Sequence, residues 1–178
     1  VQNVDIHGYH RGLAVSCWGG NCTDLPNSGK IRNSVFFGGL QGISIDGANH
    51  LKVIGNHISD CSDFDVLGCG GLAIAYHGVV RNLKVENNTI RGMRFGIALN
   101  GVLNGGNFVT DSRFVGNHVV NNFGGIFLEN GVTGNVFRSN ILFDNLWYDL
   151  NHDNDSIGND WIDNSCEFKI GDEIPDCP

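Results

Sequence analysis

The chain has 178 residues, of which 26 are glycine and 23 asparagine, while Ala, Leu, Glu, Lys, Gln, Arg and Met together supply only 36. So few helix formers exclude a helical bundle or coiled coil, and a hydrophobic fraction of 41% excludes a disordered chain. The net charge of −8 argues against a nucleic-acid or anionic-membrane partner, since no basic stripe stands out along the sequence; no apolar run nears the ~18 residues that span a bilayer.

In chain order, two short signatures alternate. One is a strand-like tetrad that opens with glycine: Gly12-Leu13-Ala14-Val15, Gly42-Ile43-Ser44-Ile45, Gly71-Leu72-Ala73-Ile74, Gly96-Ile97-Ala98-Leu99 and Gly125-Ile126-Phe127-Leu128. A degenerate sixth copy reads Trp147-Tyr148-Asp149-Leu150. Ahead of the tetrads runs an apolar-x-x-Asn-x-apolar signature. It reads Val53…Asn56-His57-Ile58, Val85…Asn88-Thr89-Ile90, Phe114…Asn117-His118-Val119 and Phe137…Asn140-Ile141-Leu142, with a weaker Trp161…Asn164-Ser165-Cys166. Two earlier segments keep the apolar frame and place Val4 and Ser34 at the asparagine position.

The asparagines lie 32, 29, 23 and 24 residues apart. Short alternating apolar stretches joined by Gly/Asn turns predict strands. A coil of this length cannot bury its own apolar face, but coils stacked ~4.8 Å apart build a continuous core. Stacking would align Asn56, Asn88, Asn117, Asn140 and Asn164 into a ladder inside one turn. Asparagine suits that place because its short side chain both donates and accepts and tolerates left-handed φ. The tetrad glycines serve either positive φ or close approach between coils.

The six cysteines fall into three close pairs, Cys17/Cys22, Cys61/Cys69 and Cys166/Cys177. None is CxxC, so local disulfides and a secreted or cell-surface setting are expected rather than zinc. The seven extra residues between Ile58 and Gly71 sit between Cys61 and Cys69, as a loop stapled at its neck. Glycosylation sequons begin at Asn21, Asn87 and Asn154, close to the number expected by chance. No signal peptide precedes Val1, so the sequence reads as a mature form or a fragment.

The N-x-I/V…G-I-x-L coils resemble the right-handed parallel β-helix repeat proteins of the pectate-lyase-like superfamily over residues 1–166. The strict hexapeptide repeat of left-handed β-helices is missing. The expected fold is therefore all-β, a single right-handed parallel β-helix of about six coils over residues 1–178, with 161–178 as a C-terminal coil and disulfide cap. The resemblance leaves function open, because lyases, hydrolases, epimerases, phage tailspikes and non-catalytic surface proteins share the scaffold.

Enzymes on that scaffold place acids, a base or an arginine on one outward face. The residues following the tetrads, Ser16, Asp46, Ala75, Asn100, Glu129 and Asn151, predict such a column. Asp46 and Glu129 would stand three coils or ~14 Å apart, too far for a glycosidase carboxylate pair. With His77 and Arg94 they form the catalytic candidates. His57 and His118, with Thr89 between them, are ~10 Å apart and cannot share a metal. Asp149, Asn151, Asp153, Asp155 and Asp160 mimic the spacing of an EF-hand calcium loop, with Asn154 at the glycine position. Calcium is the one candidate metal, and no cofactor is required. Phe37, Phe127, Tyr76 and Trp18 are candidates for stacking on sugars.

Three functions follow. The first is a secreted structural or adhesive solenoid that self-associates through its ends, since the first coil reads as uncapped. The second is a carbohydrate-active enzyme. The third is a non-catalytic polysaccharide-binding module.

Overall fold

The computed structural model describes residues 1–16, 27–61, 69–75, 78–100, 108–129, 131–152, 156–172 and 174–176. The described regular elements are all strands, and all their pairings are parallel. They stack into three sheets that the chain visits in rotation.

The first sheet holds Asp5–His7, Val35–Phe37, His57–Ser59, Thr89–Arg91, His118–Val120, Ile141–Leu142 and Ser165–Cys166. The third holds Arg11–Ser16, Gln41–Asp46, Gly70–Ile74, Phe95–Leu99, Gly124–Leu128, Tyr148–His152 and Lys169–Ile170. The second is two columns joined through the long strand Ala48–Ile54. Its first half pairs with Val80–Arg81 and its second half with Lys84–Glu86.

Alternation along each strand sends one set of side chains inward. Ile43, Leu72, Ile97, Ile126 and Leu150 stand in register, as do Ile31, Val53, Val85, Phe114, Phe137 and Trp161. Identical positions stack like on like. Phe114 lies on Phe137 at 4.7 Å between ring centroids, and Phe137 on Trp161 at 4.3 Å. Trp161 thus covers the last aromatic of the core, and Ile174, 1% exposed, packs into the same end.

The expected asparagine ladder is present. In each rung Oδ1 accepts both the backbone N–H and the side-chain amide of the preceding rung, at 2.9–3.0 Å, from Asn56 through Asn164. Each Nδ2 also donates to a backbone carbonyl one coil back. Ser34 continues the column, its N–H donating to Asn56 Oδ1 and its hydroxyl accepting from Val4 N. Two further polar ladders were not expected. One runs from Leu83 N through Ser112 and Asn135 to Asn159. The other runs from Met93 N through Asn122 and Asn145 to Asp149. Their rungs Asn122/Asn145 and Asn135/Asn159 are 23 and 24 residues apart, the same intervals as in the first ladder.

Two expectations about backbone conformation change. The ladder asparagines are not the left-handed residues. Positive φ falls one residue earlier, at Asn33, Gly55, Asn87, Gly116, Ser139 and Asp163. The tetrad glycines are not left-handed either; they are needed for space. A Cβ on Gly12, Gly42, Gly71 or Gly96 would stand 2.5–2.9 Å from the carbonyl oxygen of the next coil's glycine.

The sixth tetrad is also shifted by two residues. Gly124 pairs with Tyr148 and Ile126 with Leu150, so the repeat reads Asp149-Leu150-Asn151-His152. Asp149, rather than Trp147 or Tyr148, takes the glycine place. The Cys61–Cys69 disulfide is formed, with Cα atoms 6.1 Å apart. Cys166 is also disulfide-bonded; Cys17, Cys22 and Cys177 lie outside the described residues.

Candidate functional site

The outward face of the third sheet carries a groove of about 490 Å³. Its floor follows from small residues in register: Ser44, Ala73 and Ala98 stack in successive coils, with Gly70 beside them. The row ends at Phe127, where the groove gains an aromatic wall. Phe95 and Phe127 are stacked at 6.2 Å and 26°. Small side chains in three consecutive coils, followed by a large one, leave a furrow that runs along the solenoid axis.

Polar groups line that furrow. Asp46 is 6% exposed and accepts a 3.2 Å hydrogen bond from Ser44 Oγ on Oδ2, while its Oδ1 is buried without a partner among the described residues. Gln41 Oε1 is likewise buried without a partner. His10, Arg11, Asn100 and Glu129 complete the polar lining. Beside Asp46, in the following coil, Ala75 is held at φ +61. That conformation costs an alanine roughly 1–2 kcal/mol, the kind of strain that collects at functional positions. Tyr148 lies against Phe127. Its phenol is pushed well above the usual range by burial and by the neighbouring Glu129 carboxylate.

Asp46 and Glu129 therefore share one groove, at the three-coil separation expected for them, which corresponds to ~14 Å. Arg94 does not line it. Its guanidinium sits at the adjoining corner, 5.8 Å from the Phe95 ring and 5.9 Å from the Phe123 ring. His77 lies outside the described residues. Asn151 leaves the expected outward column, because it pairs with Phe127 and not with Glu129's position.

Of the aromatic candidates, Phe127 walls the groove and Phe37 stands on the first sheet. Tyr76 and Trp18 lie outside the described residues. His57, Thr89 and His118 stand in adjacent register on the first sheet.

The calcium-like spacing falls partly on a strand, since Asp149 and Asn151 belong to Tyr148–His152. Asp149 is 2% exposed, and its carboxylate already accepts from Asn145 Nδ2, Glu167 N and Phe168 N at 2.6–3.0 Å. Asp160 opens the strand Asp160–Ile162 and is exposed; Asp153 and Asp155 lie outside the described residues. Among the described residues no three His, Cys, Asp or Glu side chains converge as a metal site.

No basic stripe stands out along the sequence, but stacking assembles a short cationic row. On the outer face of the second sheet Lys30, Lys52, Lys84 and Arg113 occupy one row in four successive coils. They are 22, 32 and 29 residues apart, so only the register brings them together.

Two comparisons bear on identity. No curated protein sequence matches the chain. A family model for the right-handed β-helix region matches residues 1–164, which hold the whole asparagine ladder and all but the last strand of the first and third sheets. On that match and this architecture, the chain belongs to the right-handed β-helix family.

Proposed function

We propose that this β-solenoid is an extracellular adhesive protein that binds a polyhydroxylated glycan in the groove of its third sheet. The observation that carries this reading is the pair of buried acceptors without partners among the described residues, Asp46 Oδ1 and Gln41 Oε1, in a furrow walled by Phe95 and Phe127. Buried acceptors left unpaired are costly, and sugar hydroxyls would satisfy them while a pyranose face rests on an aromatic ring. Binding is favoured over turnover because the two groove carboxylates stand three coils apart, beyond the 5–9.5 Å of a hydrolytic pair. The Cys61–Cys69 bond supports an oxidising, extracellular setting.

Calorimetric titration with neutral oligosaccharides of the xylan, cellulose and galactan types tests this. At least one should bind, and Asp46→Ala and Phe127→Ala should each weaken it about tenfold or more. Silence across the panel would remove the reading, and release of reducing ends or of 235 nm absorbance would replace it with the enzymatic one.

A further inference from the structure

A different face holds a second pattern. Seven of the chain's eleven Lys and Arg residues, namely Lys30, Arg32, Lys52, Arg81, Lys84, Arg113 and Arg138, belong to strands of the second sheet. The strands of that sheet carry two carboxylates, Glu86 and Asp160. The strands of one sheet thus gather most of the cations of a chain of net charge −8.

The central row is the informative part. Its inward neighbours Ile31, Val53, Val85 and Phe114 are 0–2% exposed in the core. Alternation therefore directs Lys30, Lys52, Lys84 and Arg113 outward. Parallel register sets these four directly beside one another at ~4.8 Å intervals, over ~14 Å. None of the four makes an ion pair among the described residues. Like charges directly opposite across strands destabilise a sheet. Three consecutive like-charge neighbours thus work against the fold, and departures of that kind concentrate where a ligand is recognised.

We propose that this row binds a linear anionic polysaccharide, lying along the solenoid axis with about one acidic sugar per coil. An extended pyranose unit has nearly the length of one coil rise, so successive acidic groups would meet successive cations. The four cations form one column along the stacking direction, which fits a polymer better than a membrane surface. Its four members include no aromatic side chain, the platform on which single-stranded nucleic acid stacks its bases. Three of the four are lysines, point charges that accept carboxylate or sulfate without demanding planar geometry. The site is separate from the third-sheet groove, and its neutralisation leaves that groove intact.

The test is titration of a fluorescent heparin octasaccharide into the whole chain over a series of salt concentrations. Comparisons are Lys52→Gln/Lys84→Gln and, as a control on the first sheet, Arg91→Gln. The wild type and Arg91→Gln should bind alike, with affinity falling as salt rises. The double variant should lose at least about tenfold in affinity and about one unit of salt slope per lysine removed. Its melting temperature should be unchanged or raised, since two repulsive neighbours are gone, which separates lost binding from lost folding. Equal binding by the double variant would overturn the proposal, as would no binding by the wild type. Equally tight capture of single-stranded DNA or of phosphatidylserine vesicles would overturn the polysaccharide assignment.

Discussion

At the scale of single residues, the polar ladders fix the turns and two buried phenols set the alkaline limit. Asn117 is fully buried, and its side chain takes part in four hydrogen bonds within the ladder: two accepted from Asn88, one donated to Val85 O and one to Asn140 Oδ1. Asn117→Ala would remove the shared acceptor of the Asn88 N–H and side-chain amide and leave both buried without it, so a loss of about 3–5 kcal/mol in urea unfolding is expected. Tyr148 and Tyr9 act through protons. Burial raises both phenols, with Glu129 adding to Tyr148. The unfolded chain releases these protons near pH 10 while the native chain keeps them. Above that pH the unfolded state binds fewer protons, and stability falls as pH rises. Stability linked to Tyr148 is thus intact below about pH 10 and lost above it. Tyr148→Phe should flatten the alkaline fall of the melting temperature, and tyrosinate absorbance from the native residues should appear only on unfolding.

At the scale of elements, the glycine column decides how closely successive strands of the third sheet approach. Gly71 has ordinary φ, but a Cβ there would stand 2.6 Å from Gly96 O and overlap Ile90. Gly134 is left-handed at φ +66 with nothing within 4 Å. Gly71→Ala should therefore cost about 3 kcal/mol or more by overpacking. Gly134→Ala should cost only the ~1–2 kcal/mol of its backbone conformation. Equal losses in thermal unfolding would show that conformation, and not space, governs the column. The same column explains what was legible in the sequence. Five glycines and five asparagines recur with apolar partners at fixed offsets, and that pattern carried the fold. The sixth copy stands two residues further along than the sequence pattern suggests, because Asp149 replaces glycine there and Trp147-Tyr148 mimics the frame. The ladders through Asn122/Asn145 and Asn135/Asn159 carried the same 23- and 24-residue spacing but sat in turns without the flanking apolar signature.

At the scale of the whole molecule, site formation depends on register, which linear reading does not display. Asp46 and Glu129 were identifiable because both follow a tetrad at the same offset. The furrow was not, since it arises from Ser44, Ala73 and Ala98 being small in consecutive coils, and each is unremarkable in its own segment. The cationic row is the stronger case. Coils of unequal length scatter its members along the chain, while net charge, a sum over all faces, hides their segregation. Composition described the molecule's average, whereas the solenoid separates opposite charges and distinct chemistries onto different sides.

The ladders also have a direction. Between one rung and the next, the side-chain amide always donates toward the C-terminal side, so each rung recruits the next by offering a proton to it. In the ladder through Asn122 and Asn145 the next group is the Asp149 carboxylate, which accepts and has no proton to pass on. It takes the remaining donors from the backbone of Glu167 and Phe168 instead. Asp149 is therefore a stop signal written in hydrogen-bond polarity. Past it this column cannot propagate to another rung by the rule that built it.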